Sequence, residues 1–287
     1  MNFRESFIAF IKSENRDGSN RASSYIRAIN LLDSILERKA PKELNASSIW
    51  SISSAAHIQS LYQLVLEHQK LGNDGIFAGE KPVSYWRDGF CSAALRSYRE
   101  FLVTHLYEQK MWDIYQDSSV RPEELSEKLA EQEIESAELL VVEQDLDLKT
   151  KVGKDAVREV KARLGQGFFR KMILAQYNTQ CCITGLNVPE VLRASHITSW
   201  ADDPENRMNP SNGLCLSATY DAAFDKHLIS FDDDYRMILS PALKEYYTNL
   251  AFKEYFLNRE GARISKPKHY CPDKVLLDQH LRKMPQG

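Results

Sequence analysis

Between Val191 and Lys226 the hydrophobic pattern changes period twice, and this limits the fold more than any other feature of the chain. VLRASHI alternates apolar and polar side chains as a half-buried strand does, and it places His196 near the strand's end. A polar loop containing Pro204 and Pro210 runs from Thr198 to Ser211. NGLCLS then returns as a second short strand, and ATYDAAFDK follows as a turn or two of helix. The expected unit is strand, loop, strand, helix.

The rest of the chain reads as helix around that unit, so the expected fold class is α+β. Phe3, Phe7, Phe10 and Ile11 recur at helical spacing, as do Tyr25, Ile29, Leu32 and Ile35 after a polar break around Asp17–Ser24. Further apolar stripes cover His57–Leu71 and Phe90–Leu106, with Gly72–Pro82 between them as an exposed loop. Nothing in this half has catalytic spacing. His57, His68 and His105 stand singly in helical patterns and read as structural or surface residues; Tyr85, Trp86 and Arg87 read as core sooner than as a base-stacking patch.

Charge divides the chain more sharply than hydropathy. From Asp113 to Asp147 acids outnumber bases twelve to two, and from Lys149 to Lys171 bases outnumber acids eight to two. The acidic run reads as a hinge followed by solvated helix, with Pro122 at a helix start capped by Ser119 or a neighbour. The basic run reads as helix broken near Gly165–Gly167. The expected organisation is a helical N-terminal domain over 1–112, serving recognition, dimerisation or partner docking, an acidic helical connector over 113–148, and a catalytic domain over 149–287.

At 287 residues and a net charge of −3, composition is that of a globular protein and neither requires nor excludes a nucleic-acid partner, since phosphate contacts are local. No apolar run approaches the roughly 20 residues that span a bilayer, and the first residues, MNFRESFIAFIKSENR, lack a signal peptide's pattern. The expectation is a cytoplasmic protein with no membrane association. Cys91, Cys181, Cys182, Cys215 and Cys271 form no C-x-x-C pair, so free thiols are expected and no structural zinc.

The chemistry sits in the strand–loop–strand–helix stretch. Asp221 and Asp225 are four apart, which puts two carboxylates on one helix face. Their repulsion is relieved by a hard divalent cation, and a histidine facing them across a hairpin suits activation of water.

These residues in this order resemble the ββα-metal motif of HNH endonucleases, in the bacterial restriction-type branch that reads roughly AsHI…NGL.L….DaaFD. The lead-in LGQGFFRKMILAQYNTQCCITG is similar to that branch as well, through Gln166, Phe169, Arg170, Tyr177 and Cys182. The resemblance covers about residues 160–240. It implies His196 as general base, Asn212 as the brace of the loop that orients it, and Asp221 and Asp225 as metal ligands. It further implies Mg²⁺ or Mn²⁺ as cofactor, DNA as substrate, and a role in restriction or phage defence. Arg170 and Lys171 are candidate phosphate contacts. Ser195 stands where many family members carry a metal-ligating Asp or His, and both Ser195 and His227 read as bystanders. Ser195 keeps an alternative alive, a DNA-binding module whose ββα unit has lost catalysis; an accidental likeness in an interaction protein is the third reading. One such site hydrolyses one strand per engagement, so a two-fold homodimer is the expected way to cut both.

Overall fold

The computed structural model describes residues 2–13, 20–132 and 154–286. The chain divides into two compact units, Met1–Gln109 with Glu133–Ala162, and Lys110–Gln132 with Arg163–Gly287. The fold class is α+β, with a helical N-terminal region and small two-stranded sheets in the C-terminal half.

The first unit is built from α1 (Phe3–Ser13), α2 (Arg21–Lys39), the single turn α3 (Pro41–Leu44), α4 (Ala55–Leu71), α5 (Val83–Arg87) and residues 90–109 of α6 (Phe90–Gln116). The stripes read from the sequence face inward: Phe7, Ile11, Ile29, Leu32 and Ile35 are all fully buried. Phe7 meets Tyr98 edge-on at 5.3 Å and Trp50 meets Tyr98 at 5.4 Å, so aromatic contacts supply much of this core. α2 begins at Arg21, inside the break expected over Asp17–Ser24, of which residues 17–19 lie outside the described ones.

The loop expected to be exposed over Gly72–Pro82 is not wholly so. Phe77 is fully buried and stacks on Trp86 at 5.3 Å, because an aromatic side chain in a loop gains more from the core than from water. Trp86 is thereby core, and its indole N–H donates to the Glu80 carbonyl. His68 accepts the Ile76 backbone N–H, His57 approaches the Glu43 carbonyl, and His105 stacks on Phe101. All three make structural contacts.

In the second unit, α7 (Pro122–Glu131) opens on Pro122. Its cap residue is Arg121 and provides no side-chain bond, whereas Ser119 donates to Asp117 in the preceding turn; the cap expected from Ser119 is therefore a turn contact instead. Residues 133–148 of the expected acidic connector lie outside the described ones.

α8 (Lys154–Gln176) runs unbroken through Gly165 and Gly167, where the sequence predicts a break. Tertiary packing explains Gly165: a Cβ there would sit 3.0 Å from the Trp200 ring, so the missing side chain lets the loop indole lie against the helix.

The expected strand–loop–strand–helix unit forms in that order. β1 (Leu192–His196) pairs antiparallel with β2 (Gly213–Ser217), Ala194 opposite Cys215 and His196 opposite Gly213, and α9 (Ala218–Asp225) follows directly. All five residues of β2 are buried, and the α8 residues Phe168, Phe169, Met172 and Ile173 are buried with them. Cys182 donates its backbone N–H to the Cys215 carbonyl at 2.8 Å, and Tyr177 donates its hydroxyl to Gly213, so the lead-in segment braces β2 by hydrogen bonds.

Gly213 marks the tightest point. A Cβ there would lie 2.7 Å from Ile173 Cγ1 and 2.9 Å from Phe169 Cζ. Gly213→Ala should therefore destabilise the protein by about 1–3 kcal/mol through overpacking. Chemical denaturation measures it, and an unchanged midpoint would show that α8 yields without strain.

A second hairpin, β3 (Ile229–Phe231) with β4 (Met237–Leu239), follows, then α10 (Leu250–Tyr255) and α11 (Lys274–Arg282). Asp273 caps α11 through the Val275 and Leu276 amides. No described helix is long and apolar enough to cross a membrane.

Candidate active site

His196 closes β1 with its ring flat on Phe169 of α8, centroids 3.7 Å apart, and with Trp200 edge-on at 5.6 Å. Its Nε2 lies 3.1 Å from the Arg207 carbonyl. A carbonyl only accepts, so in the neutral ring Nε2 carries the proton and Nδ1 keeps the basic lone pair. Burial pushes the ring's pKa below its ordinary 6.5, and the Arg207 bond opposes that shift. At neutral pH the ring is an uncharged base.

The carbonyl that sets this tautomer belongs to the polar loop, and Asn212 holds the loop. Asn212 is fully buried. Its Oδ1 accepts from the Thr198 amide at 2.9 Å and hydroxyl at 3.1 Å, and its Nδ2 donates to the carbonyls of Thr198 at 3.2 Å and Asn206 at 3.0 Å. Both ends of the amide are used. Asp203 and Asn209 extend this network through Asn206, and Arg207 donates Nε to the Trp200 carbonyl.

Asp221 and Asp225 line one cavity of about 360 Å³ together with His196 and Ser195. The buried Ser195 hydroxyl donates to Asp221 Oδ1, a contact that the sequence reading of Ser195 did not include. Burial and then the charge of Asp221 raise the Asp225 pKa from its ordinary value. Burial is the larger cause, and the neighbouring Asp221 carboxylate adds a like charge to it. An oxygen-ligating divalent cation fits such a pair. No group of three or more His, Cys, Asp or Glu side chains suited to a metal occurs among the described residues, so water and substrate oxygens would complete its shell. A larger depression of about 830 Å³, lined by Glu127, Glu131, Glu205 and Asp273 with no base among its described residues, would repel a phosphodiester.

Residues 181–232 match the HNH endonuclease family. This segment is the HNH-like part of the chain. No protein with a curated description matches the chain.

The HNH domain is completed by elements outside the matched segment. Phe169 supplies the surface on which the His196 ring lies. Arg170 donates to the Leu192 carbonyl at 2.8 Å and the Pro189 carbonyl at 3.2 Å, which ties it to the start of β1, the end opposite His196. Neither Arg170 nor Lys171 lines the cavity. The Arg170 guanidinium braces the hairpin because carbonyls at the strand entrance lie within its reach.

Four ionisable residues that line the cavity were not read from the sequence as site residues: Asp202, His227, His280 and Lys283. His227 has a left-handed backbone, φ 53°, and a buried Nδ1 without a hydrogen-bond partner. His280 and Lys283 come from α11 and the residue after it, more than fifty residues beyond the motif, and no spacing links them to it. Cys181, Cys182 and Cys215 are buried free thiols in the core of the domain.

Proposed function

We propose that this chain is a divalent-metal-dependent DNA endonuclease. The observation that carries the reading is the convergence of a neutral, tautomer-fixed His196 and the Asp221–Asp225 pair on one cavity of an HNH domain. Asp221 and Asp225 would hold the metal ion, most naturally Mg²⁺ or Mn²⁺, which when bound offsets charge building on the phosphate and the leaving oxygen. His196 Nδ1 takes a proton from water, which attacks phosphorus in line. The Arg207 carbonyl holds the ring through Nε2 and stabilises the charge the imidazolium acquires. Asn212 holds the loop that presents this carbonyl. Ser195 keeps Asp221 turned to the cavity.

The ββα unit hydrolyses one phosphodiester at a time, so cleavage of both strands calls for two copies, and a two-fold homodimer is the economical arrangement. Restriction of foreign DNA, as in phage defence, is the role such chemistry suits.

Supercoiled plasmid with Mg²⁺ or Mn²⁺ tests the reading. The expected products are nicked and then linear DNA with ends that DNA ligase reseals, and chelation should stop the reaction. Protein that retards the plasmid without cutting it under any divalent ion would instead establish the DNA-binding module.

A further inference from the structure

We propose that Lys283 is the cation that binds the scissile phosphodiester, a contact that rests on the nuclease reading and deepens it. The cavity's three carboxylates, Asp202, Asp221 and Asp225, repel a polyanion, so a site for DNA needs positive charge from the protein as well as from a metal ion. Among the described residues that line the cavity, Lys283 is the single lysine or arginine. Its side chain is exposed and forms no ion pair with another described residue. His280, beside it in the lining, does not share the charge. Burial pushes the pKa of His280 down to about 4.

The placement of Lys283 is built rather than incidental. The His280 ring, 3% exposed, lies flat on Phe224 at 3.8 Å, and its Nε2 donates to the Phe224 carbonyl at 3.0 Å. Phe224 stands between Asp221 and Asp225 on α9. The Ser230 hydroxyl donates to His280 Nδ1 at 2.9 Å, which completes the ring's bonding and ties it to β3. Lys283 then follows, its amide donating to the His280 carbonyl at 3.1 Å, with Met284 buried beyond it and the Pro285 carbonyl accepting from Ser240. The end of α11 is thus bolted to the helix turn that carries the carboxylates. An ammonium on a flexible stem at that point reaches a phosphate oxygen as a point charge.

The test compares wild type, Lys283→Gln and Lys283→Arg in single-turnover cleavage of a fluorescent duplex in Mg²⁺, and in binding of that duplex across a salt series in chelator. Lys283→Gln should cut about 10–100-fold more slowly, the loss expected for a charge-assisted hydrogen bond. Its log–log salt slope should be shallower by about one, the signature of one phosphate contact removed. Lys283→Arg should recover part of the rate. A Gln variant with wild-type rate and slope, while wild type cuts, would overturn the assignment and leave the nuclease reading intact. An Arg variant as slow as the Gln variant with an unchanged slope would overturn it too. A wild-type protein that cuts nothing would overturn both.

Discussion

His196→Ala should lose about 10²–10⁴-fold in cleavage rate, the usual effect of removing a general base, while the protein stays folded and keeps its affinity for duplex DNA. Folding survives because the ring ends a strand; its main contacts are the stack on Phe169 and one bond to the Arg207 carbonyl. Affinity survives because phosphate contacts come from cations and His196 is neutral. The pH profile gives a second readout. The folded-state pKa lies below 6.5, so the base form is fully present at and above neutral pH and is lost as pH falls through that lowered value. Wild-type cleavage should therefore be flat through pH 7–8 and decline on the acid side with a midpoint below about 6.5. A variant cutting at the wild-type rate, or a midpoint well above 6.5, would remove His196 from the role.

Asn212→Ala should be the single change most damaging to stability, and it should lower activity with it. It leaves the Thr198 amide and carbonyl without a partner in a buried site, while the Thr198 hydroxyl keeps Asp203 and the Asn206 carbonyl keeps the Asn209 amide. Each buried polar group so orphaned costs about 1–3 kcal/mol, so the total should reach about 3 kcal/mol or more even where some groups find water. The same loop carries the Arg207 carbonyl, so the surviving folded fraction should also cut poorly. Asn212→Asp should fall between, since a carboxylate accepts from Thr198 but cannot donate to the two carbonyls. Thermal unfolding with cleavage per folded molecule checks both; an Ala variant of wild-type stability would mean that the loop holds itself.

The ββα unit was legible because each of its parts leaves a local mark. Alternation placed β1, a polar loop with prolines separated the strands, and a spacing of four put Asp221 and Asp225 on one face. The helical stripes around Phe7 and Leu32 were legible for the same reason. What the sequence hid was long-range. α8 continues through Gly165 because Trp200, thirty-five residues on, fills the space a side chain would take. Phe77 leaves a glycine-rich loop for the core because Trp86 offers a ring to stack on. Arg170 is a candidate phosphate contact by its place on a basic helix, and only the fold shows that its donors also reach carbonyls at the strand entrance. Lys283 has no motif at all, and only the docking of His280 on Phe224 brings it to the cavity.

The central claim is that His196 and the Asp221–Asp225 pair act on one phosphodiester as a single centre. The direct measurement is single-turnover cleavage by wild type, His196→Ala, Asp221→Ala and the double variant at saturating protein in Mg²⁺. Groups that act as a unit are strongly non-additive. Each single variant should lose about 10²–10⁴-fold, and the double variant should lose no more than the worse single one. Losses that multiply in the double variant, or a single variant that cuts like wild type, would contradict a common centre.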